Sequence, residues 1–574
     1  MTTTAETSTP APGNSRGRAI ASVGLLVRRR PVAATAAIAT LIALGHAAWI
    51  LMHRRLGAFD PDEAGYLAQA LRFHRNLDPL HPTTLLREVG RTGTAPLVPL
   101  LSTAFLVIGS RSPTTALLVQ PLLLVVCATG IAALTRRIAS PAVAVGTGLT
   151  FCTLPTVTLA TQSYWLGLGA TASLIAATWA LAASGGGANW RVWLYGLGIA
   201  AMLLSRTMTL AFLPAAGIAG LVIARVSRRN MLRVTAAFVL GLALASPWYW
   251  AQSETVFGYL GAYGYGERAE LFGPSDLIGR IGDRAWAFYG GGGVVMPTAA
   301  IGAAIAVAWG RLRKDRAGFP PTALTGPGSE TRLVCALALG CLAGCAALLS
   351  SPNRGGWFET PILAWMTVLA GWVVGQAPRL MRGGIAATAT AVGTLGLATA
   401  YWILPFGRPI PLPTHYEQAF AEYDGRFGSN HRDQLAAVAA EWAGANRQVV
   451  DDLAAIDPKA VVSVSGNMEL SNTNAMLLAA ELRGLDLDLR VPDTESPTQR
   501  RAALEPVMTD RWGSPREHLI VLIRHDHRAF TPDAMADRFQ REMAHDWRTV
   551  RTIALPGGAK VEIYRHSPAG ASAG

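Results

Sequence analysis

From Pro31 to about Leu404 the chain alternates long apolar stretches with short polar loops. The stretches run over about 32–52, 113–135, 141–158, 166–183, 192–205, 207–224, 232–250, 285–309, 331–350, 357–377 and 384–404. Apolar runs of that length predict helices that cross a bilayer. After residue 405 the pattern changes. Apolar runs shrink to strand length, as in Val461–Val464 and Leu519–Ile523, and helical periodicity appears at about 431–453, 471–483, 498–510 and 531–545. Strands alternating with helices predict a small α/β domain. The chain therefore divides into a disordered cytoplasmic N-terminus (1–30), a transmembrane module (31–404) and an extracytoplasmic α/β domain (405–574). The last has no glycine-rich fingerprint behind a strand, so no nucleotide site is expected there.

Composition agrees. Of 574 residues, 51% are hydrophobic and only 15% charged, and the mean hydropathy is +0.30. That excludes a disordered chain, a small disulfide scaffold and an ordinary cytosolic enzyme. The net charge of +13 is unevenly placed. Residues 1–404 hold 31 Lys and Arg against 14 Asp and Glu, and residues 405–574 hold 19 against 23. The excess sits in short loops, where it sets orientation rather than binding nucleic acid. With Arg28–Arg30 ahead of it, the first stretch is a signal anchor with a cytoplasmic N-terminus. Arg136–Arg137, Arg225–Arg233, Arg311–Arg316 and Arg379–Arg382 are then cytoplasmic, which requires about eleven crossings in the plasma membrane. Segment 95–110 does not fit that count as a crossing and is expected to be re-entrant or juxtamembrane. The five cysteines all lie in apolar stretches and predict buried hydrophobes rather than a site.

Acids are confined. No Asp or Glu occurs between Glu88 and Glu254, and Glu359 is the marginal acid at the outer end of a span. A proton-coupled transporter needs ionisable groups within its spans, so acid chemistry here belongs at the outer face. Directly after the first span comes Phe59-Asp60-Pro61-Asp62-Glu63-Ala64-Gly65-Tyr66. Asp60 suits an N-cap and Pro61 a first helical position, which places Asp62 and Glu63 in a first turn. Basic residues share the outer face: Arg91, Arg206 between two apolar segments, and Arg354 in a short turn. Guanidinium groups bind phosphate as a bidentate fork, so their convergence on the acidic loop would suit an anionic lipid headgroup.

These residues, in this order, resemble the GT-C superfamily of membrane glycosyltransferases. The nearest branch contains protein O-mannosyltransferases, bacterial aminoarabinose lipid A transferases and actinobacterial cell-wall glycosyltransferases. The resemblance rests on Asp62-Glu63-x-x-Tyr66 after the first span, and on Arg91 before Ala95-Pro96-Leu97. It extends to Leu204-Ser205-Arg206-Thr207 at a helix tip, Pro247-Trp248-Tyr249, and Arg354 followed by Trp357, Phe358 and Pro361. One departure stands out: where many relatives carry a second acid, this chain has Gln162-Ser163-Tyr164-Trp165.

The resemblance implies transfer of a sugar from a polyprenyl-phosphate donor to an extracytoplasmic glycan, glycolipid or protein, with inversion. It implies Asp62 as general base, with Asp60 as the alternative, and Glu63 and Tyr66 orienting the base or binding sugar. Arg91, Arg206 and Arg354 would hold phosphate, and Trp248 and Trp357 would line the substrate site. The resemblance leaves room for a divalent cation and does not settle metal dependence. The outer loop 251–284, with Tyr259, Tyr263 and Tyr265 among glycines, suits a substrate lid. Two other readings use the same residues differently. A flippase for lipid-linked sugars needs the arginines but no base, and a non-catalytic envelope assembly subunit needs neither.

Overall fold

The computed structural model describes residues 29–54, 59, 61–224, 227–266, 269, 273–292, 329–353, 358–377, 379–400, 432–465, 471–490, 518–524 and 547–566. Asp60, Arg354, Trp357, the N-terminal segment before residue 29 and the helical patterns at 498–510 and 531–545 lie outside the described residues.

Each apolar stretch that is described in full forms helix. Five helices among the described residues are long and apolar enough to cross a bilayer: Pro31–His53, Pro113–Thr135, Thr207–Ala224, Arg228–Ala251 and Glu330–Ser350. The pair Pro141–Cys152 and Pro155–Gln162, bent by 57°, makes a sixth if counted as one span. The bend falls where Pro155 cannot donate a helical hydrogen bond. Shorter apolar helices cover Gly167–Ala183, Val192–Ser205 and Thr360–Gln376. The segment expected to be re-entrant forms a helix, Leu97–Ile108, of 12 residues. At 1.5 Å per residue that is about 18 Å, well short of a hydrocarbon core.

Small residues let these helices approach closely. A Cβ on Gly196 would lie 2.2 Å from the Ala237 carbonyl oxygen, and one on Gly241 would lie 2.5 Å from the Gly196 carbonyl oxygen. Without a hydrophobic drive between helices in lipid, such close backbone contact is what holds them together. Large apolar side chains such as Leu44 and Leu342 point outward and stay exposed, as lipid-facing positions do.

Among its described residues the C-terminal domain carries one five-stranded sheet, ordered Asp488–Arg490, Val461–Ser465, His518–Arg524, Lys560–His566, Trp547–Ala554. Strands β1 (Val461–Ser465), β2 (Asp488–Arg490) and β3 (His518–Arg524) are parallel, and β4 (Trp547–Ala554) and β5 (Lys560–His566) are antiparallel. Alternate residues of β3 face opposite ways, as the pleat requires. Leu519, Val521 and Ile523 pack with Trp442, Val449, Val450 and Leu453 of the Arg432–Ile456 helix. Ile520 and Leu522 meet Trp547 and Tyr564 on the other face. The Thr473–Arg483 helix connects β1 to β2 and packs on both halves of the molecule. Met476, Ala479 and Ala480 belong to the domain's core, while Leu478 belongs to the core of the membrane module.

Candidate active site

Pro61 opens a 15-residue helix, Pro61–Arg75, with Asp62 and Glu63 in its first turn. The two adjacent carboxylates have opposite environments. Glu63 is fully buried: Arg54 Nη2 lies 2.6 Å from Glu63 Oε2, and the Tyr164 backbone N–H donates to Glu63 Oε1 at 2.6 Å. The aromatic ring of Phe59 covers the same guanidinium, 4.7 Å from its centroid. Glu63 thus ties the helix start to the end of the first span and to the Ser163–Trp165 connection. Asp62, one residue earlier, is exposed.

Asp62 does not stand apart from the basic residues. Arg206 follows the Val192–Ser205 helix and precedes a 3-10 turn over Thr207–Phe212. Only 9% of it is exposed. Its guanidinium lies over Phe358, 4.3 Å from the ring centroid, and 5.8 Å from the Trp165 ring. Burial pushes the guanidinium pKa down, and Tyr66, Asp62, Tyr259 and Glu359 oppose it. Acid and arginine therefore act on one another across the site, together with Tyr66. Burial and the charge of Asp62 raise the hydroxyl pKa of Tyr259, and Arg206 opposes them.

Arg284, in the Leu277–Gly292 helix, is 5% exposed and donates to the Asn353 carbonyl at 2.5 Å. The charges of Arg284 and Arg206 both act on buried Glu359. The turn that receives Arg284 also ties down the Leu260–Tyr265 segment. Asn353 Nδ2 donates to the Tyr263 carbonyl at 2.7 Å, Ser351 Oγ donates to the Gly264 carbonyl, and Tyr265 Oη lies 3.2 Å from Ser350 Oγ. That loop segment, Leu260–Tyr265, is wound as a π-helix, a form that recurs at functional sites.

Arg206 and Arg284 line one cavity of about 380 Å³. Much of the remaining wall is apolar, with Met208, Leu210, Phe212, Phe257, Leu348 and Pro361. Two cations facing an oily channel match an amphiphile with an anionic head.

Not every expected residue joins this cluster. Trp248 is buried and donates its indole N–H to the Thr92 carbonyl at 3.2 Å, which fastens the end of its helix to the segment behind Pro82–Arg91. Arg91 ends that short helix and is exposed. Gln162 and Tyr164, where the resemblance led to the expectation of a second acid, are both buried. Tyr164 Oη lies 2.5 Å from Ser102 Oγ. Among the described residues no group of three or more His, Cys, Asp or Glu is placed to hold a metal ion.

No protein-family model matches the sequence, and no curated protein matches it significantly. Solved structures do match. The crystal structure of ArnT from Cupriavidus metallidurans bound to undecaprenyl phosphate aligns over 93% of this chain and 97% of its own, with a TM-score of 0.55 and 13% identity. The apo form of the same protein aligns over 95% and 98%, with a TM-score of 0.52 and 13% identity.

The chain shares the ArnT fold.

Of the residues singled out in the sequence, Asp62 and Tyr66 act on Arg206, whereas Glu63 turns to Arg54 and the Tyr164 N–H. Sequence reasoning passed over Arg284, whose only signal was a charged pair with Asp283 at the mouth of an apolar stretch. It noted Glu359 without a role. The pairing of Glu63 with Arg54 was not foreseen either, because nine residues separate them across a turn whose path the sequence does not show.

Proposed function

We propose that the chain is an integral-membrane glycosyltransferase of GT-C type, moving a sugar from a polyprenyl-phosphate donor to a hydroxyl of an extracytoplasmic glycan, glycolipid or protein. The cavity carries this reading: two buried arginines line a largely apolar cavity, with an exposed carboxylate in electrostatic reach of one of them. The ArnT structure that shares the fold holds undecaprenyl phosphate, and a lipid of that class has the matching shape.

In this reading the isoprenoid chain lies along Met208, Leu210, Phe212 and Leu348, and the phosphate meets Arg206 and Arg284. The acceptor hydroxyl comes to Asp62. Its pKa is far too high for it to attack unaided, so Asp62 takes the proton as the new bond from oxygen to the anomeric carbon forms. The bond between that carbon and the phosphate oxygen breaks, and the phosphate leaves with one more negative charge. Fixed cations in a low-dielectric pocket stabilise that developing charge at no reorganisation cost. Direct displacement inverts the anomeric centre. Glu63, consumed by Arg54 and the Tyr164 N–H, holds the helix rather than the proton. Tyr66 orients the base or the sugar. Asp60 is the alternative base, Arg91, Arg354 and Trp357 are further proposed substrate contacts, and Trp248 braces its helix end at the Thr92 carbonyl. The basic loops stay cytoplasmic with about eleven crossings, leaving the C-terminal domain outside the plasma membrane.

The test is transfer from labelled polyprenyl-phosphate sugars in membranes, comparing the native protein with Asp62→Asn. Loss of transfer in a normally expressed variant supports the reading. Movement of the labelled lipid across the bilayer without transfer, indifferent to Asp62, would replace it with a flippase.

A further inference from the structure

We infer that the C-terminal domain is a working part of the transfer site, the outer clamp that positions Asp62, with Asn474 as its positioning residue and Glu481 as its anchor. The inference rests on the transferase reading above. The Pro61–Arg75 helix is gripped from the membrane side through Glu63, as described. From the other side the Thr473–Arg483 helix lies along it. Asn472 is the N-cap of that helix, its side chain accepting from the Ala475 N–H at 2.9 Å. This fixes the turn from which Asn474 projects. Asn474 Nδ2 donates to the Pro61 carbonyl at 2.8 Å. That carbonyl belongs to the peptide unit leading into Asp62, so the bond acts one residue from the base.

Gly65 is what allows the approach. A Cβ there would lie 3.0 Å from both Cγ and Nδ2 of Asn474, so any larger residue must push Asn474 away. One turn further along, Leu478 enters the apolar core of the membrane module. Two turns from Asn474, buried Glu481 accepts from Arg72 Nε at 2.9 Å and lies 3.3 Å from Arg75 Nη1. Arg111 Nη2 donates to its backbone carbonyl at 2.8 Å. Positions 474, 478 and 481 share one helical face. Along that face run a polar contact at the Asp62 end, apolar packing in the middle and an ionic lock at the far end. Anchorage alone would be served by the middle and far contacts. The Asn474 contact falls where it sets the angle of the base, and misplacement of a catalytic group by about 1 Å costs up to ~100-fold in rate.

The test is a double-mutant cycle of Gly65→Ala and Asn474→Ala on sugar transfer, with kcat and donor KM measured separately. Gly65→Ala is expected to lower kcat about 10-fold, and Asn474→Ala about 3-fold. The double variant should match Asn474→Ala alone, because the added methyl then occupies the vacated space, and donor KM should stay within about twofold throughout. A Gly65→Ala defect that Asn474→Ala does not relieve overturns the inference, as does an Asn474→Ala variant with native kcat. A native protein that transfers no sugar would sink the transferase reading itself. In that event the clamp is read without activity, from disulfide formation between Gly65→Cys and Asn474→Cys mapped by mass spectrometry. Ready oxidation supports the contact, and its failure overturns it.

Discussion

On the basic side, Arg206 is buried against the Phe358 ring and Arg284 donates to the Asn353 carbonyl, both in the membrane module. On the acidic wall, the Pro61–Arg75 helix lies between two halves of the molecule, with Glu63 tied inward to Arg54 and Asn474 reaching in from the C-terminal domain. The difference matches what each wall would have to do. A phosphate carries its charge throughout and needs rigid cations beside an oily channel, which helices in lipid provide. In the proposed reaction the base would meet an acceptor arriving from water, and Asn474 of the C-terminal domain would steady its helix.

Breaking the acidic wall gives the largest expected effect. Asp62→Asn should lower kcat by about 10³-fold, within the range for losing a general base, with little change in donor KM. Steady-state transfer assays check this, and loss confined to KM would reassign Asp62 to binding. Next, Arg206→Ala should cost about 10²-fold in kcat/KM and also weaken polyprenyl-phosphate binding, visible as a smaller ligand-induced rise in Tm. Arg206→Lys should recover only part of it, since an ammonium lacks the planar fork.

Glu63→Ala sharpens the contrast between the neighbouring acids. It should destabilise the protein by about 3 kcal/mol, because it leaves the Arg54 guanidinium buried without its partner. Asp62→Asn should leave Tm unchanged. Detergent-phase thermal unfolding of the two variants separates them, and equal effects would contradict the division of labour. The smallest effect is expected away from both walls. Arg483 pairs with Asp451 at 2.5 Å on the exposed side of the Thr473–Arg483 helix. Arg483→Ala should keep transfer within about twofold of native, as exposed ion pairs contribute little. A large loss would extend the clamp to the helix's outer face.

Much of this was legible in the chain. Apolar runs located the described membrane helices to within a few residues, because lipid leaves the backbone little choice but helix. The short helix Leu97–Ile108 was marked by the charge pattern as an unlikely crossing. The acid-free stretch from Val89 to Ser253 pointed to the outer loop, and Pro61 fixed the helix that begins there. In the C-terminal domain β1 and β3 were visible as central apolar strands. Strand β4 was not: it lies at the sheet edge and only two of its eight residues, Trp547 and Ile553, are buried. Arg284, Asn474 and Glu481 escaped notice for another reason. Each acts through a contact distant in sequence, such as the 413 residues between Pro61 and Asn474, and no local pattern encodes that.

The most direct measurement is single-turnover transfer of sugar from a defined polyprenyl-phosphate donor by the purified protein in lipid, with native and Asp62→Asn chains compared at matched Tm. The account predicts sugar on the acceptor with inverted anomeric configuration, and a rate about 10³-fold lower in the variant. Equal rates in the two chains, or retention of configuration, would contradict it.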